Sequence, residues 1–385
     1  MYAEVLVEIR SKAVDQTFTY IVPDTLKNKI AIGVRVFVPF GKNKIEGFVL
    51  NLTNENNSEF SMKEIIEVID EVPILNKELL ELGNYISKKT LCMKILCYQT
   101  MLPKALKANK NIQMQKKYQT FYTLTMDKEE ALSKCTNQKQ KEIIEKVSNT
   151  KALKKDLVEI SSSALQTLQK KQMIKEQKEE IYRLNLENQP KTEEKTLTKE
   201  QQDVCEKIYP YLSTFHPFLL HGVTGSGKTE VYLHLIKEVL KQGKTALMLV
   251  PEISLTPQVT QIFQSRFSSN IALLHSNLSD GERYDEWRKI ARGEVSIVIG
   301  ARSAIFAPLK NIGIILVDEE HSSTYKQENN PKYYTLDLAI YRAKYHKCPV
   351  VFGSATPSME SYTRAKLGVY TLLTMKERVN KKLPK

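Results

Sequence analysis

The stretch Gly222–Thr229, which reads Gly-Val-Thr-Gly-Ser-Gly-Lys-Thr, constrains the fold of this chain more than any other feature. It matches the pattern GxxxxGK[ST] and closely follows the apolar run Phe218–Leu220. Such a loop works between a buried strand and a helix, because its glycines turn backbone N–H groups inward and the helix directs its positive end at the same point. The sequence therefore predicts a strand, a phosphate-binding loop and a helix. A merely glycine-rich turn is the alternative.

Further short apolar runs occur along the chain, and each is followed by a polar or glycine-containing turn. They are Ala246–Val250, Ile271–Leu274, Ile297–Ile299, Ile314–Val317 and Val350–Phe352. Runs of this kind suit strands that are covered on both faces. From Leu197 onward we therefore predict an α/β fold with a doubly wound parallel sheet, whose ligands bind at the carboxyl ends of the strands.

Single residues of this loop can be assigned to parts of a bound nucleotide. Lys228 is expected to reach the β- and γ-phosphates of ATP, and the Thr229 hydroxyl is expected to hold Mg²⁺. The remaining loop residues that would cradle the phosphates are Gly222, Gly225, Ser226 and Gly227.

Two adjacent carboxylates come directly after the apolar run Ile314–Val317. Asp318 and Glu319 would be costly there unless a metal or another cation neutralised them. We expect Asp318 to bind Mg²⁺ and Glu319 to act as the base that orients the attacking water, with Lys228 as the third catalytic residue. A solvated loop after a strand is the alternative.

A third motif, Gly353-Ser354-Ala355-Thr356, follows the last apolar run. The hydroxyls of Ser354 and Thr356 can hydrogen-bond Glu320 or His321, which would couple the nucleotide site to movement. His321 could sense the γ-phosphate or DNA, or it could be a plain polar packing residue. The three motifs in this order are typical of the first lobe of a superfamily 2 helicase.

The region before the sheet has a different texture. From Tyr2 to Val72 apolar residues alternate with period two, which predicts a small β-rich barrel or sandwich, and Asn76–Leu96 has helical spacing and should pack on it. We assign residues 1–103 to this β-rich domain. Residues 104–117 look like a basic linker.

A compact helical region follows within residues 104–187. Helices are predicted at Gln138–Val147, Ala152–Val158 and Ser163–Lys171, the last opened by a serine cap, with a two-stranded wing at Gln172–Leu184. This pattern suggests a winged helix, which either contacts DNA or serves protein contact only. Residues 188–196 are predicted to be a solvated linker.

The overall composition sets limits on function. With 57 basic and 44 acidic residues the net charge is +13, which points to a polyanionic partner such as nucleic acid, although codon bias could also enrich lysine. The five cysteines are scattered and never spaced as CxxC, so they indicate neither a disulfide framework nor a zinc site. The N-terminus lacks the pattern of a signal peptide and there is no apolar run of membrane-spanning length, so a cytoplasmic protein is expected.

Six strings together carry a resemblance to a known family. They are His221–Tyr232 (HGVTGSGKTEVY), Val250–Gln258 (VPEISLTPQ), Gly300–Phe306 (GARSAIF), Asp318–Gln327 (DEEHSSTYKQ), Asp337–Ala343 (DLAIYRA) and Gly353–Pro357 (GSATP). They resemble those of the PriA family of replication-restart helicases, also called primosomal protein N′, over essentially the whole chain. The resemblance implies a RecA-like lobe at residues 197–385. It also implies an ATP-dependent 3′ to 5′ DNA helicase that binds stalled or repaired forks and initiates primosome assembly.

The resemblance also implies roles for single residues of the motor lobe. Gln201 or Gln202 would contact adenine. Arg302, with Ser303 and the segment Glu252–Thr256, would face the DNA backbone. The loop Ser323–Tyr334 resembles the family's aromatic-rich loop, which couples DNA binding to ATP hydrolysis. Aromatic planes can stack on bases while lysines hold phosphates. The candidates are Tyr325, Lys326, Lys332 and Tyr333, and interior tyrosines are the alternative, above all for Tyr334.

Near the N-terminus the resemblance implies a pocket for the 3′ end of a nascent strand. Phe18 would stack on the terminal base, Gly41 would permit close backbone approach, and Lys63 would hold a phosphate. Thr19 stands where the family usually has an acidic residue, and a threonine accepts a hydrogen bond more weakly than a carboxylate does.

The expected partners are branched and single-stranded DNA, with single-stranded DNA-binding protein and other primosome proteins implied by the resemblance, and no membrane. The family's second lobe supplies the arginine that stabilises the transferring phosphate, and a zinc module with paired cysteines follows the first lobe. This sequence contains neither, so we expect ATP·Mg²⁺ binding with little hydrolysis. Two alternatives are a non-enzymatic module that recognises forks or restart partners, and a different superfamily 2 translocase.

Overall fold

The computed structural model describes residues 1–55, 62–108, 115–149, 151–184, 190 and 192–379. The chain divides into two compact units, one formed by Met1–Gln113 with Leu186–Lys385 and the other by Met114–Asn185. The predicted linkers at 104–117 and 188–196 lie partly outside the described residues. The predicted β-rich region and the predicted α/β lobe thus belong to one unit.

The N-terminal region is a five-stranded antiparallel sheet with the order β2-β1-β4-β3-β5. Its strands are β1 (Tyr2–Val7), β2 (Thr17–Ile21), β3 (Arg35–Phe40), β4 (Asn43–Thr53) and β5 (Glu67–Val68). The predicted alternation is confirmed in β3, where Val36 and Val38 are buried in the same cluster as Val5 of β1. It is wrong for β4, where the successive residues from Glu46 to Val49 are all buried. Short 3₁₀ turns lie at Lys12–Val14 and Asp24–Leu26.

The single helix predicted at Asn76–Leu96 is wrong, because the structure has two helices there. α1 (Lys77–Thr90) begins at the N-cap Asn76 and ends at Leu91, whose φ of 53° is left-handed. α2 (Lys94–Met101) follows, and its first N–H, that of Lys94, donates to Asp15 Oδ1 at 2.9 Å. A cap supplied from so far away in the sequence leaves no local signal.

The expected basic linker begins with ordered structure. Lys104–Leu106 forms a 3₁₀ turn, and Ala105, Leu106 and Ala108 are buried. The linker prediction is therefore wrong up to residue 108.

The second unit contains β6 (Lys117–Leu124), α3 (Lys128–Ser133), α4 (Gln138–Asn149), β7 (Ala152–Leu153), α5 (Lys154–Lys170) and β8 (Ile174–Ile181). Ile143, Ile144, Leu157 and Leu168 form its core. The two later predicted helices are both present as parts of α5, which is interrupted at Ser161, where φ is −173° and ψ is 117°. The predicted serine cap of the later part is Ser161, whose hydroxyl accepts from Ala164 N at 3.3 Å.

The predicted two-stranded wing is also wrong. Its residues form one strand, β8, which pairs antiparallel with β6 along its whole length. The sheet order is β7-β6-β8. Strand β6 has no run of apolar residues in its sequence, and for that reason it escaped prediction.

The remaining strands form a seven-stranded parallel sheet with the order β11-β12-β10-β13-β14-β9-β15. They are β9 (His216–Gly222), β10 (Thr245–Leu249), β11 (Ile271–Leu274), β12 (Ile297–Gly300), β13 (Ile312–Val317), β14 (Pro349–Ser354) and β15 (Thr371–Met375). The six predicted apolar runs all lie in these strands, so the predicted parallel sheet is confirmed. The edge strand β15 alternates exposed and buried residues and was not predicted.

Helices cover this sheet: α6 (Lys199–Ile208), α7 (Lys228–Lys241), α8 (Pro257–Phe267), α9 (Asp280–Arg292), α10 (Thr335–His346) and α11 (Met359–Lys366). Every residue of the central strand β13 is buried. In the described part of the chain, no helix combines the length and the apolar character needed to cross a bilayer.

Candidate active site and nucleic-acid interface

The phosphate-binding loop lies between β9 and α7, as its sequence predicts. Gly225 and Gly227 have φ angles of 82° and 81°, a region that favours glycine, and Gly227 is the N-cap of α7. Lys228 Nζ donates to the Gly222 carbonyl at 3.0 Å and lies 3.8 Å from Glu319 Oε1. The lysine is therefore close to the end of β13 as well as to its own loop.

The loop also contains an unused polar group. Ser226 is buried, and no described atom hydrogen-bonds its Oγ. A buried hydroxyl without a partner is costly unless a ligand supplies one. The loop thus fits a phosphate group on an observation that is independent of its sequence pattern. Thr229, in the first turn of α7, is partly exposed.

Gln201 supports the loop from the side of α6. Its Nε2 donates to the Ser226 carbonyl at 3.0 Å, and its Oε1 accepts from Thr198 N at 2.9 Å as part of a capping box. A Cβ on Gly227 would lie 2.3 Å from Gln201 Nε2, so the two are in close contact. The predicted contact of Gln201 with adenine remains a prediction, and its amide already holds the loop.

Asp318 lies at the carboxyl end of β13, where its Oδ1 accepts from Tyr232 OH at 3.0 Å. Burial raises the pKa of Asp318, and the neighbouring Glu319 charge raises it further, while Lys228 opposes both. Burial also raises the pKa of Tyr232 well above its usual value, so this phenol stays a neutral donor. Glu319 has a φ of 43°, an uncommon conformation for a residue other than glycine.

These acidic side chains fit a cation, but only one that brings other ligands. No group of three or more His, Cys, Asp or Glu side chains within the described ranges could hold a metal. Mg²⁺ usually takes one or two carboxylates and completes its shell with phosphate oxygens and water. Asp318 and the Thr229 hydroxyl are therefore suited to Mg²⁺ bound together with a nucleotide, rather than to a resident metal.

Gly353 makes the arrangement around Asp318 possible. A Cβ at this position would lie 1.7 Å from Tyr232 OH and 3.5 Å from Asp318 Oδ1. Neither Tyr232 nor this role of Gly353 was predicted, because the contact joins α7 to β14 and only the fold brings them together.

The predicted link between the second and third motifs is present through His321. Its Nδ1 lies 2.7 Å from Ser354 Oγ and 3.6 Å from Glu319 Oε2. Ser354 Oγ also accepts from Thr356 N at 3.0 Å, and Thr356 itself is exposed.

The expectation that Ser354 or Thr356 could bond Glu320 is wrong. The buried Glu320 carboxylate accepts from Ser358 N at 2.7 Å, from Ser358 Oγ at 3.0 Å and from Ser361 Oγ at 2.8 Å. Ser358 is also the N-cap of α11. A helix start with two serines, Ser358 and Ser361, is therefore the sequence signal for these contacts.

The aromatic loop Ser323–Tyr334 places its tyrosines differently from the prediction. Tyr325 is fully buried and donates from its OH to the Asp318 carbonyl at 2.7 Å. Tyr333 is buried against Phe306, with ring centroids 5.2 Å apart. Bases could reach these two rings only after the loop moves, whereas Tyr334, the ring most expected to be interior, is only partly buried.

The charged residues of this loop remain accessible. Lys326 and Lys332 are exposed, and Lys326 Nζ lies 5.4 Å from the Tyr334 ring centroid. Arg302 donates from NH1 to the Thr324 carbonyl at 3.2 Å and to the Lys326 carbonyl at 2.8 Å. Arg302 thus fixes the loop, and contact between Arg302 and DNA stays a prediction.

The predicted DNA-end residues lie together at one end of the N-terminal sheet. The Phe18 and Phe40 rings meet edge to face with centroids 5.1 Å apart, and Gly41 follows Phe40 directly. Lys63 Nζ donates to the Gly41 carbonyl at 3.2 Å. Gly41 has a φ of 57°, and no described atom lies within 4 Å of where its Cβ would be. The arrangement combines two half-buried aromatic rings with the exposed Gly41 and Lys63.

Family profiles match both parts of the first unit. The profile described as 3'DNA-binding domain (3'BD) matches residues 4–103, and the profile described as DEAD/DEAH box helicase matches residues 198–365.

Curated relatives match along almost the whole chain. The replication restart protein PriA of Bacillus subtilis (strain 168) is 42% identical over 98% of this chain and 56% of its own length. That of Chlamydia muridarum is 35% identical over 100% of this chain and 52% of its own length. The chain spans about half the length of these relatives. Among solved structures, RecG bound to a three-way DNA junction matches at 23% identity over 49% of this chain and 24% of that chain, with a TM-score of 0.35, which is too low to add to the assignment. On the two profiles and the curated relatives, the chain belongs to the PriA family of replication restart proteins.

Proposed function

We propose that this chain binds DNA 3′ ends and ATP as part of an ATP-dependent DNA helicase. The helicase would act at stalled or repaired replication forks, move 3′ to 5′ along one strand and initiate primosome assembly. The observation that carries the proposal is the meeting of Lys228, Asp318 and Glu319 at the carboxyl edge of the parallel sheet, with Lys228 Nζ 3.8 Å from Glu319 Oε1. This site and the DNA-end residues lie in one compact unit.

Each residue of the site has a distinct task in this proposal. ATP with Mg²⁺ supplies the free energy of phosphoryl transfer to water. The loop amides, the Ser226 hydroxyl and Lys228 would hold the phosphates, and Thr229 and Asp318 would hold the ion. Glu319 would accept the proton of the attacking water, a task suited to a partly exposed carboxylate that lies beside a lysine.

The proposed partners follow from the residues that would contact them. Branched and single-stranded DNA would contact the Phe18, Gly41 and Lys63 surface, and Arg302, Lys326 and Lys332 would hold the strand on the motor lobe. Single-stranded DNA-binding protein and other primosome proteins are proposed partners, in the cytoplasm. The second unit would contribute either DNA contact or protein contact.

Binding of a recessed 3′ end tests the DNA side of this proposal. Phe18→Leu removes the aromatic plane while keeping an apolar side chain, and base stacking contributes about 1–3 kcal/mol per base. Fluorescence anisotropy should therefore show at least about fivefold weaker binding of a duplex with a recessed 3′ end. Lys63→Ala should also weaken binding of this duplex.

The matched control is Lys89→Ala, which removes an exposed lysine of α1 away from the pocket and should leave the affinity unchanged. Equal binding of the recessed end and of circular single-stranded DNA, with no effect of either pocket substitution, would contradict 3′-end recognition.

A further inference from the structure

A buried ion pair joins the N-terminal region to the motor lobe. Arg342 of α10 donates from Nε to Glu78 Oε1 at 2.6 Å and from NH2 to Glu78 Oε2 at 3.0 Å, and Glu78 lies in the first turn of α1. Arg342 is 0% exposed and Glu78 is 4% exposed. This pair is called the Glu78–Arg342 joint. Beside it, the rings of Tyr85 and Tyr341 pack with centroids 4.5 Å apart.

The joint continues by hydrogen bonds into the nucleotide site. Arg342 NH1 donates to the Ile305 carbonyl at 2.7 Å. Ile305 belongs to the 3₁₀ segment Arg302–Phe306, whose Arg302 donates to the carbonyls of Thr324 and Lys326. Between those two residues lies Tyr325, which donates from its OH to the Asp318 carbonyl at 2.7 Å. The contacts from α1 to the candidate Mg²⁺ ligand are thus unbroken.

On its other side the joint reaches the strands that bear the DNA-end residues. α1 packs through Leu79 and Leu82 in the same buried cluster as Leu6 of β1 and Phe48 of β4. Strand β1 pairs with β2 so that Val5 lies opposite Phe18. Val5 is buried in a second cluster, against which Phe18 packs, whereas its neighbour Leu6 lies in the cluster of α1. A change at the Phe18 surface can therefore reach α1 across strand β1, from Val5 to Leu6.

Net stability does not explain why such a pair is present. Apolar side chains of similar volume are often as stable as a buried ion pair or more so, because the two charges lose their hydration. They could not, however, donate to the Ile305 carbonyl. The guanidinium does both, since its planar group binds a carboxylate through two nitrogens and has a third left for the carbonyl.

We propose that Arg342 is a positioning residue that couples the DNA-end site to the nucleotide site through the Glu78–Arg342 joint. The inference rests on the proposed function, because it requires that both ligands bind. Binding at either site orders the same path, so the second ligand meets a more ordered protein and binds more tightly. By linkage, each ligand must change the affinity of the other by the same factor.

The test measures this factor in the 385-residue chain without requiring hydrolysis. The Kd of a non-hydrolysable ATP analogue with Mg²⁺ is measured by calorimetry, with and without saturating DNA that has a recessed 3′ end. The Kd of the DNA is measured with and without the analogue. In the unaltered chain each ligand should tighten the other about fivefold or more.

The informative variant carries Glu78→Leu together with Arg342→Met. It keeps the interface apolar and filled, and each ligand alone should bind within about twofold of the unaltered chain, because neither site is touched. The coupling factor should fall below about twofold. A factor that persists in this variant would overturn the proposal.

The control is Tyr85→Leu, which loosens the same interface by removing a ring contact and leaves the ion pair in place. In this variant the two ligands should still tighten each other's binding. If they do not, the coupling depends on packing of the interface in general, and the role proposed for Arg342 is wrong. Two ligands that bind the unaltered chain with no mutual effect would refute the joint alone. Absence of binding by either ligand would instead refute the proposed function.

Discussion

Two carboxylates near the strand ends, the half-buried Asp318 and the buried Glu320, have opposite surroundings. Glu320 accepts hydrogen bonds from Ser358 and Ser361 and needs no further partner. Asp318 accepts from Tyr232 OH and from the backbone N–H of Glu319, yet burial and the Glu319 charge raise its pKa, so its charge is held at a cost. A cation at Asp318 would relieve that cost. The residue that is poorly satisfied is therefore the one suited to bind an ion.

Gly353 offers a test of this arrangement, because Gly353→Ala would place a Cβ 1.7 Å from Tyr232 OH. We expect about 1–3 kcal/mol of destabilisation from this overpacking. Adding Tyr232→Phe removes the clashing oxygen, so the double variant should be more stable than the sum of the two single effects predicts, by about 0.5–3 kcal/mol. Urea unfolding followed by Trp287, the one tryptophan of the chain, measures the three free energies. Additive effects would show that the contact does not exist.

Residue roles could be predicted where a local pattern encodes them. The Gly222–Thr229 loop and the acidic pair Asp318 and Glu319 are contiguous strings, and the structure places Lys228 beside Glu319 as expected. The donor Tyr232 could not be assigned to Asp318 in this way, since it comes from another part of the fold. Tyr325 lies only seven residues after Asp318, but no local pattern shows that its OH donates to the Asp318 carbonyl. Aromatic residues in a polar loop gave no indication of which rings would be buried.

Helices α1 and α10 are joined by the Glu78–Arg342 ion pair, whose contribution to the unfolding free energy depends on pH. Burial by itself raises the pKa of Glu78, but the charges and hydrogen bonds of Arg342 and His346 outweigh it and lower the pKa from 4.5 to about 2. Because the folded value lies below the unfolded one, this stabilisation is complete above pH 4.5 and is lost as the pH falls towards 2.

The variant with Glu78→Leu and Arg342→Met isolates this effect. Between about pH 6 and pH 3 the unaltered chain should lose roughly 2 kcal/mol more unfolding free energy than the variant does. Near neutral pH the variant should be about as stable as the unaltered chain or up to about 4 kcal/mol more so. Urea titrations at the two pH values decide the matter. Identical losses in both proteins would mean that Arg342 and His346 do not hold Glu78 ionised in the folded chain.

Helices and strands were predicted correctly where their own sequence shows that they are buried. The apolar runs of the parallel sheet are buried strands in the structure because they are covered on both faces, as with the fully buried β13. The strands β6 and β15 carry mixed polar and apolar residues, and only their pairing with β8 and β9 makes them strands. The break after α1 depends on Asp15, which caps α2 from far away in the chain.

At the scale of the whole molecule, the N-terminal sheet and the motor lobe share one buried cluster. Leu6 and Phe48 of the sheet belong to the same cluster as Leu219 and Val317 of the lobe. The sequence indicated separate regions, because the hydrophobic pattern changes along the chain. Such a change shows where one region ends and another begins, but it does not show which surfaces pack together. This shared cluster means that part of the N-terminal sheet packs together with the motor lobe.

Calorimetric titration of ATP in the presence of Mg²⁺ shows whether a nucleotide binds with Mg²⁺ at the carboxyl edge of the parallel sheet, on which the proposed function rests. We expect one ATP to bind per chain, because the Gly222–Thr229 loop occurs once in the sequence. We also expect Lys228→Ala to abolish most of the affinity, whereas Lys237→Ala, a change farther along α7, should not. No binding at saturating nucleotide, or equal binding by the Lys228→Ala variant, would show that this loop does not hold the nucleotide.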